Sequence, residues 1–260
     1  MRMFWFALVL ATCVAACSDD AVDPCPTGSC TLPGNTVVKY KFNNYPAVGF
    51  DSDTCSELGV AKVQVELVGV DDPEEYDVLV VQCPEGQATF SGLPVQNYTV
   101  AVTALDANDV PLTKSALPGR GMIAAAGPGA RVETTVNVQY ESWANSYTGQ
   151  FLYKLTWAGV TCNPAATDMT ITQQTLTLTV NGTVVTQMNN RGDKLDGSTD
   201  YECWPSTMPP QTVAMVPWGP ATLKVVGKND ADTVLFDHTF DTFVGAGMFN
   251  PTLTFDSPAL

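Results

Sequence analysis

Short runs in which apolar and polar residues alternate fill the chain after residue 35. The alternation is clear at Val63, Val65 and Leu67, and it recurs from Val132 to Val138. Turn residues separate the runs VVKYKF, AKVQVELVG, YDVLVVQC, QATFSG, NYTVAVTAL and RVETTVNVQY. A period of two residues predicts half-buried strands, and six or seven strands in about 105 residues predict a β-sandwich. No segment shows sustained helical periodicity.

The plan of residues 36–140 repeats in residues 147–256. The second set of runs is GQFLYKLTWAG, TITQQTLTLTV, QTVAMV, PATLKVVG, TVLFDHTF and NPTLTF, with a long polar insertion after the second run. Superposing the halves aligns Cys55 with Cys162 and Cys83 with Cys203. This repeated order predicts two tandem domains, 36–140 and 147–256, joined by a linker that carries Trp143.

Residues 86–100, GQATFSGLPVQNYTV, resemble a hairpin of the carboxypeptidase-regulatory or transthyretin-like sandwich family. Phe90 and Tyr98 flank a Leu-Pro turn, in which Pro94 fixes φ where no ladder donor is needed. Ala88 replaces the first aromatic residue of the family pattern, and Asn97 follows Gln96 where the family often has glycine. The resemblance implies an all-β chain of two tandem Ig-like or transthyretin-like β-sandwich domains, and it implies no activity.

Residues 1–16 have the pattern of a secretory signal peptide. Arg2 precedes a run that is apolar from Met3 to Ala16 except at Thr12. About 14 helical residues rise only ~21 Å, which is short of the ~30 Å hydrocarbon core, so we expect no permanent membrane span.

The end of this leader, Val14-Ala15-Ala16-Cys17, resembles the bacterial lipobox. The resemblance implies that Cys17 is acylated and becomes the new N-terminus, because only cysteine supplies the thiol for the lipid. An ordinary signal peptide cleaved after Ala16 is the alternative. The polar residues 17–35 then form a lipidated tether. The resemblance also implies sorting to the outer membrane, because Ser18 stands where an aspartate often retains such lipoproteins in the inner membrane. We therefore expect a lipid-anchored protein of the bacterial cell envelope.

Cys13 leaves with the leader and Cys17 takes the lipid, so six of the eight cysteines remain free to pair, and an oxidising compartment makes disulfides the expectation. Fifteen pairings are formally possible. Sequence position and the internal repeat select three pairs, Cys25–Cys30, Cys55–Cys83 and Cys162–Cys203. A zinc site is the competing interpretation, but the chain has no C-x2-C pair and a single histidine. The sequence thus predicts no metal and no cofactor.

The formal net charge of −15 bears on partners. So acidic a chain is repelled by phosphate backbones and by anionic lipid headgroups. We expect no nucleic-acid partner, and membrane contact through the N-terminal lipid alone. The sequence does not identify a small-molecule ligand.

Catalytic motifs are missing from the sequence, which contains no HExxH, GxSxG, P-loop or GxGxxG. His238 lies in phase with Val234, Phe236 and Phe240, so a partly buried core histidine is favoured over a catalytic one. We therefore assign no catalytic residue and predict a non-enzymatic protein.

Three further features invite a binding function. Among the acidic clusters, the turns at 106–109 and 230–232 are the candidates for calcium, although Asn and Asp are ordinary turn residues and no calcium-loop motif matches. Arg191-Gly192-Asp193 matches an integrin-binding tripeptide, but it lies in a polar loop and such tripeptides arise by chance. Trp157, Trp204 and Trp218 form either a sugar-stacking platform or, as we favour, core and interface packing.

The leading hypothesis is a non-enzymatic envelope lipoprotein that serves as a surface spacer, an adhesion module or a module that binds an envelope or surface protein. A carbohydrate- or calcium-binding β-sandwich is the alternative. A hydrolase that uses two scattered carboxylates is the third hypothesis.

Overall fold

Extended backbone dominates the part of the chain that the computed structural model describes, residues 34–46, 55–115, 117–158, 162, 170–248 and 250–258. The strands of the first half are β1 Asn35–Phe42, β2 Lys62–Gly69, β3 Tyr76–Gln82, β4 Gln87–Ser91, β5 Asn97–Leu105, β6 Gly119–Ala124 and β7 Arg131–Val138. The strands of the second half are β8 Thr148–Trp157, β9 Gln173–Val180, β10 Thr183–Val184, β11 Tyr201–Glu202, β12 Gln211–Pro217, β13 Gly219–Lys228, β14 Val234–Val244 and β15 Thr252–Ser257. Two 3-10 helices occupy Cys83–Glu85 and Tyr140–Ser142. Over these ranges no helix is long and apolar enough to cross a membrane.

Each half forms a sandwich of two sheets, so the predicted all-β fold of tandem sandwiches is confirmed. The first sandwich packs the sheet β4-β1-β7 against the sheet β3-β2-β5-β6. The second sandwich packs β12-β8-β15 against β10-β9-β13-β14, and β11 also pairs with β9. The first and last strands of each sandwich are parallel neighbours, β1 with β7 and β8 with β15. The two halves therefore share one strand order, with β1, β2, β4, β5, β6 and β7 corresponding to β8, β9, β12, β13, β14 and β15.

Period-two alternation produces the two cores. On β2, Val63, Val65 and Leu67 are fully buried, and the intervening residues are only partly buried. Tyr98 on β5 is also buried, and its hydroxyl donates to the carbonyl oxygen of Pro94 at 3.1 Å, which closes the Leu-Pro turn. The second core is built in the same way around the side chains Phe151, Tyr153, Leu155, Trp157, Leu176, Leu178, Leu223, Val225 and Phe236.

The sequence pattern did not reveal strand β6, the sequence GRGMIA. A Cβ atom on Gly119 would lie 2.8 Å from a methyl group of Val138, and one on Gly121 would lie 2.8 Å from a methyl group of Val136. Both positions must be glycine for β6 to lie this close over β7. Because two of its six residues are glycine, β6 lacks the enrichment in β-branched residues by which strands are recognised in a sequence.

Two disulfides lie at equivalent places in the two sandwiches. Cys55, before β2, bonds Cys83 after β3, and Cys162, before β9, bonds Cys203 after β11. The Cα atoms are 5.9 and 5.8 Å apart, within the range of ordinary disulfides. Both pairs agree with the pairing selected from the sequence. The leader, Cys17, the predicted Cys25–Cys30 pair and most of the tether lie outside the described residues.

Candidate functional site

A cluster of polar and aromatic residues forms the joint between the sandwiches, where the loop after β1 meets the loop after β14. The amide nitrogen of Ala246 donates to the carbonyl oxygen of Asn44 at 3.3 Å, and Nδ2 of Asn44 donates back to the carbonyl oxygen of Ala246 at 2.7 Å. Nearby, the amide of Met248 donates to the carbonyl oxygen of Glu57 at 2.9 Å. Asn44 and Ala246 are both fully buried, so these bonds are shielded from water.

Glycines allow the backbones to approach each other at the joint. Gly247 has φ 74°, and a Cβ atom built on it would lie 3.1 Å from the Cα atom of Leu58. A Cβ atom on Gly245 would lie 2.7 Å from the carbonyl oxygen of Asn44. Larger residues at either position would push the two sandwiches apart.

Two tryptophans fix the linker against both sandwiches. Trp143 is fully buried in the first core, and its indole nitrogen donates to the carbonyl oxygen of Asn43 at 2.9 Å. Trp218 belongs to the second sandwich but packs against the first core, and its indole nitrogen donates to the carbonyl oxygen of Ala144 at 2.8 Å. The ammonium group of Lys114 lies 5.0 Å above the Trp218 ring, within cation–π range.

Aromatic rings complete the joint. The ring of Phe243 on β14 meets Tyr45 and Tyr140 edge-on, each at 5.5 Å between centroids. The hydroxyl of Tyr147 donates to the carbonyl oxygen of Leu58, and burial raises the pKa of Tyr147 to about 12. Burial likewise raises the pKa of Tyr45. Main-chain, amide and aromatic contacts thus fix the second sandwich against the first, and Pro33–Leu260 form one compact unit.

The loop with Arg191-Gly192-Asp193 forms a buried polar network. Asp193 is 5% exposed, and its carboxylate accepts from Nδ2 of Asn189 at 3.1 Å and lies 3.4 Å from Arg191 Nη1. Asn189 also donates to the hydroxyl of Tyr153, whose pKa is raised by its burial. The guanidinium of Arg191 stacks on Trp204 at 4.3 Å. Because its carboxylate is turned inward, the tripeptide holds the inserted loop on the second core and does not present an acid to another protein.

The two acidic turns adopt the same hairpin geometry. Oδ1 of Asp106 accepts the amides of Asn108 and Val110 at 2.8 Å. Oδ1 of Asn229 accepts those of Ala231 and Thr233 at 3.1 and 2.8 Å. These are Asx turns, in which the side-chain oxygens serve the local backbone. Across the described ranges, no group of three or more His, Cys, Asp or Glu side chains is placed to hold a metal ion.

His238 lies on β14, half-buried, with its ring 4.5 Å from that of Phe240 in an edge-on contact. This is the core-facing phase expected from the sequence. Of the three tryptophans, Trp157 is buried against Phe236, Trp218 lies in the joint and Trp204 is covered by Arg191. The described structure therefore does not bring the three rings together into one platform.

A groove of about 530 Å³ runs where β6 passes β7. Arg120 and Glu141 supply its charges, and Thr135, Asn137 and Gln139 supply neutral polar groups. The described lining contains no aromatic ring. This surface is open, and Leu117 and Pro118 make part of its lining apolar.

Comparisons with known proteins are faint. No family model matches the sequence, and a comparison with curated proteins gives no match. Solved structures with some likeness include a leucine-rich repeat protein from Bacteroides thetaiotaomicron, with 12% identity over 87% of this chain and 26% of that chain and a TM-score of 0.27. The chain thus spans about a quarter of that protein's length.

Two other solved structures are covered over most of their length. The fimbrial anchor protein Mfa2 from Porphyromonas gingivalis shares 10% identity over 79% of this chain and 82% of that chain, with a TM-score of 0.30. A DUF3823 family protein from Bacteroides uniformis shares 9% identity over 80% and 98%, with a TM-score of 0.24. Likeness of this extent carries no argument about function.

Sequence reasoning placed Trp143 in the linker and favoured core or interface packing for Trp218, but it missed the loop contacts at the centre of the joint. Its central residues, Asn44 and Ala246, lie in loops about 200 positions apart. Only the short run Gly245-Ala246-Gly247 indicates that another chain segment passes close to the backbone there. The Arg191 and Trp204 stack was also missed, because neither residue belongs to a periodic pattern.

Proposed function

We propose that this protein is a non-enzymatic, lipid-anchored component of the bacterial cell envelope, and that its two sandwiches form a rigid spacer that presents a protein-binding surface away from the membrane. The observation that carries the proposal is the joint, because buried hydrogen bonds from Asn44 and Ala246 convert two sandwiches into one stiff body. A flexible linker of similar length would let them move independently.

The leader and the lipobox-like residues support the anchoring part of the proposal. Lipid on Cys17 would supply the attachment, since the acidic surface does not favour adsorption to anionic headgroups. Ser18 after the cysteine favours the outer membrane as the place of this attachment. The Cys55–Cys83 and Cys162–Cys203 disulfides support an oxidising compartment.

The anchoring is tested by fractionation of cells that express the full chain. We expect the wild-type protein in the membrane fraction and the Cys17→Ala variant either released or retained as an unprocessed precursor. A Cys13→Ala variant is the matched control, because that cysteine lies within the leader, and it should behave like the wild type. A processed Cys17→Ala protein that still partitions into detergent would contradict the lipid anchor.

The rigid-spacer part is tested by spin labels on the two sandwiches, at the exposed positions Val95 and Met188. One narrow distance distribution between Val95→Cys and Met188→Cys labels is expected. A distribution as broad as that of a flexible linker would refute the spacer role while leaving the anchoring untouched. Crosslinking in intact envelopes then identifies the surface protein that the spacer contacts.

A further inference from the structure

Strand β3 leaves one of its edges unpaired within the described part of the chain, since β3 is the outer strand of its sheet. Gly69 donates to the carbonyl of Glu75, and Cys83 donates to the carbonyl of Ala61, at the two ends of the β2–β3 ladder. In an antiparallel ladder this places the main-chain groups of the odd-numbered β3 residues toward β2. The N–H and C=O groups of Tyr76, Val78 and Val80 therefore point outward.

The free stretch ends at Gln82. The amide of Gln82 donates to Oε1 of Glu85 at 3.2 Å, and its carbonyl oxygen accepts from the hydroxyl of Tyr40 at 3.3 Å. The alternate residues Tyr76, Val78 and Val80 thus offer three main-chain N–H donors and three carbonyl acceptors along this edge.

Three other outer strands, β6, β12 and β14, carry features that discourage pairing with another chain. β6 is rich in glycine and lies against β7, while β12 is interrupted by a register shift between Ala214 and Val216. β14 carries exposed Asp237 and Asp241. β3 has seven residues, no proline and a single charge, and its side chains Tyr76 and Val80 are 58% and 50% exposed. Such an edge is open to a further strand.

The β3 sequence is self-complementary about Val78. If a second copy pairs antiparallel with Val78 opposite its own counterpart, Tyr76 faces Val80 of the second copy and Val80 faces Tyr76 of the second copy. All three outward residues of each strand then exchange hydrogen bonds, which satisfies every free group of the stretch. Aromatic with β-branched is one of the favourable cross-strand pairs.

Charge agrees with this register. Asp77 lies opposite Leu79 of the second copy, so the two aspartates do not face each other.

We propose that β3 pairs with β3 of a second copy of this chain, antiparallel and centred on Val78, so that two four-stranded sheets become one. The same patch is used by both copies, as a two-fold interface requires. The net charge of −15 on each copy opposes association, so salt strengthens the dimer by screening.

The test is site-specific oxidative crosslinking of the purified protein, with the wild type as the control for its native cysteines. A hydrogen-bonded antiparallel pair places its Cα atoms ~5.5 Å apart, which suits a disulfide, so Val78→Cys should form reducible dimers. Val80→Cys is the matched control. In this register the Val80 positions of the two copies lie four residues apart along the strand, which is about 13 Å. Val80→Cys should therefore give at least about tenfold less disulfide-linked dimer than Val78→Cys.

The register is tested by mixing Tyr76→Cys with Val80→Cys, which should crosslink to each other more than either does to itself. We expect Val78→Cys to give more dimer at 0.5 M salt than at 0.05 M salt, because salt screens the repulsion between the two acidic copies. Equal yields for Val78→Cys and Val80→Cys would show random collision and overturn the proposal. So would a Val78→Cys protein that remains monomeric, or that crosslinks in intact cells only to a different protein.

Discussion

Asn44 offers the sharpest test of the joint, because its side-chain amide bonds the second sandwich directly and can be removed by a single substitution. Asn44→Ala removes the Nδ2 donor from the buried carbonyl of Ala246 and leaves the main-chain bond between the two residues in place. Burying a polar group without its partner costs about 1 to 3 kcal/mol, so we expect a loss of about 2 kcal/mol in the free energy of unfolding. For a unit of this size that loss lowers Tm by roughly 4 to 8 °C.

The assay is urea unfolding followed by tryptophan fluorescence, together with calorimetry. Asn137→Ala is the matched control, since Asn137 is exposed on β7, and its effect should stay within about 0.5 kcal/mol. The wild type should unfold in one transition, and Asn44→Ala should bring the transitions of the two sandwiches apart. An Asn44→Ala protein as stable as Asn137→Ala, with a single transition, would refute the reasoning about the joint.

The remaining predictions concern a disulfide, a tyrosine and the buried polar network. Replacing both Cys162 and Cys203 by alanine should lower the free energy of unfolding by about 4 kcal/mol in the chain-entropy model, measured by denaturant titration, and an unchanged midpoint would contradict this. The folded-state pKa of Tyr147, about 12, lies above its ordinary value of 10.0, so its contribution to stability is full below pH 10 and is lost as the pH rises through 12. Tyr147→Phe should therefore make the alkaline loss of stability between those pH values shallower than in the wild type. Asp193→Ala should cost about 2 kcal/mol because it leaves buried donors unpaired, whereas the exposed control Asp230→Ala should cost less than about 0.5 kcal/mol.

The strands were predictable where burial follows a simple period. Val63, Val65 and Leu67 alternate because one face of β2 meets the core and the other does not, and this pattern is local in the sequence. The internal repeat added the pairing of Cys55 with Cys83, because equivalent cysteines must lie at equivalent places. The glycine strand β6 escaped notice, since its two glycines are there for a close contact with Val136 and Val138, and that contact is visible only in three dimensions.

The candidate site was less predictable than the fold. The bond between Asn44 and Ala246 joins loops whose sequences carry no periodic signal, and the choice of partner is made by how the sandwiches dock. The tripeptide at 191–193 shows that a short motif can suggest a function that the structure does not support. Its letters suggest recognition, whereas the burial of Asp193 and the stacking of Arg191 on Trp204 give it a packing role.

The parallel pairing of first and last strands has a mechanical consequence. A pull applied before β1 and after β7 drags the two neighbours in opposite directions along their shared ladder, which runs in register from Asn35 beside Arg131 to Phe42 beside Val138. Their hydrogen bonds are then loaded together in shear, while a hairpin would unzip one bond at a time. The ladder between β8 and β15 repeats this arrangement. Stretching of single molecules should therefore give high unfolding forces for both sandwiches.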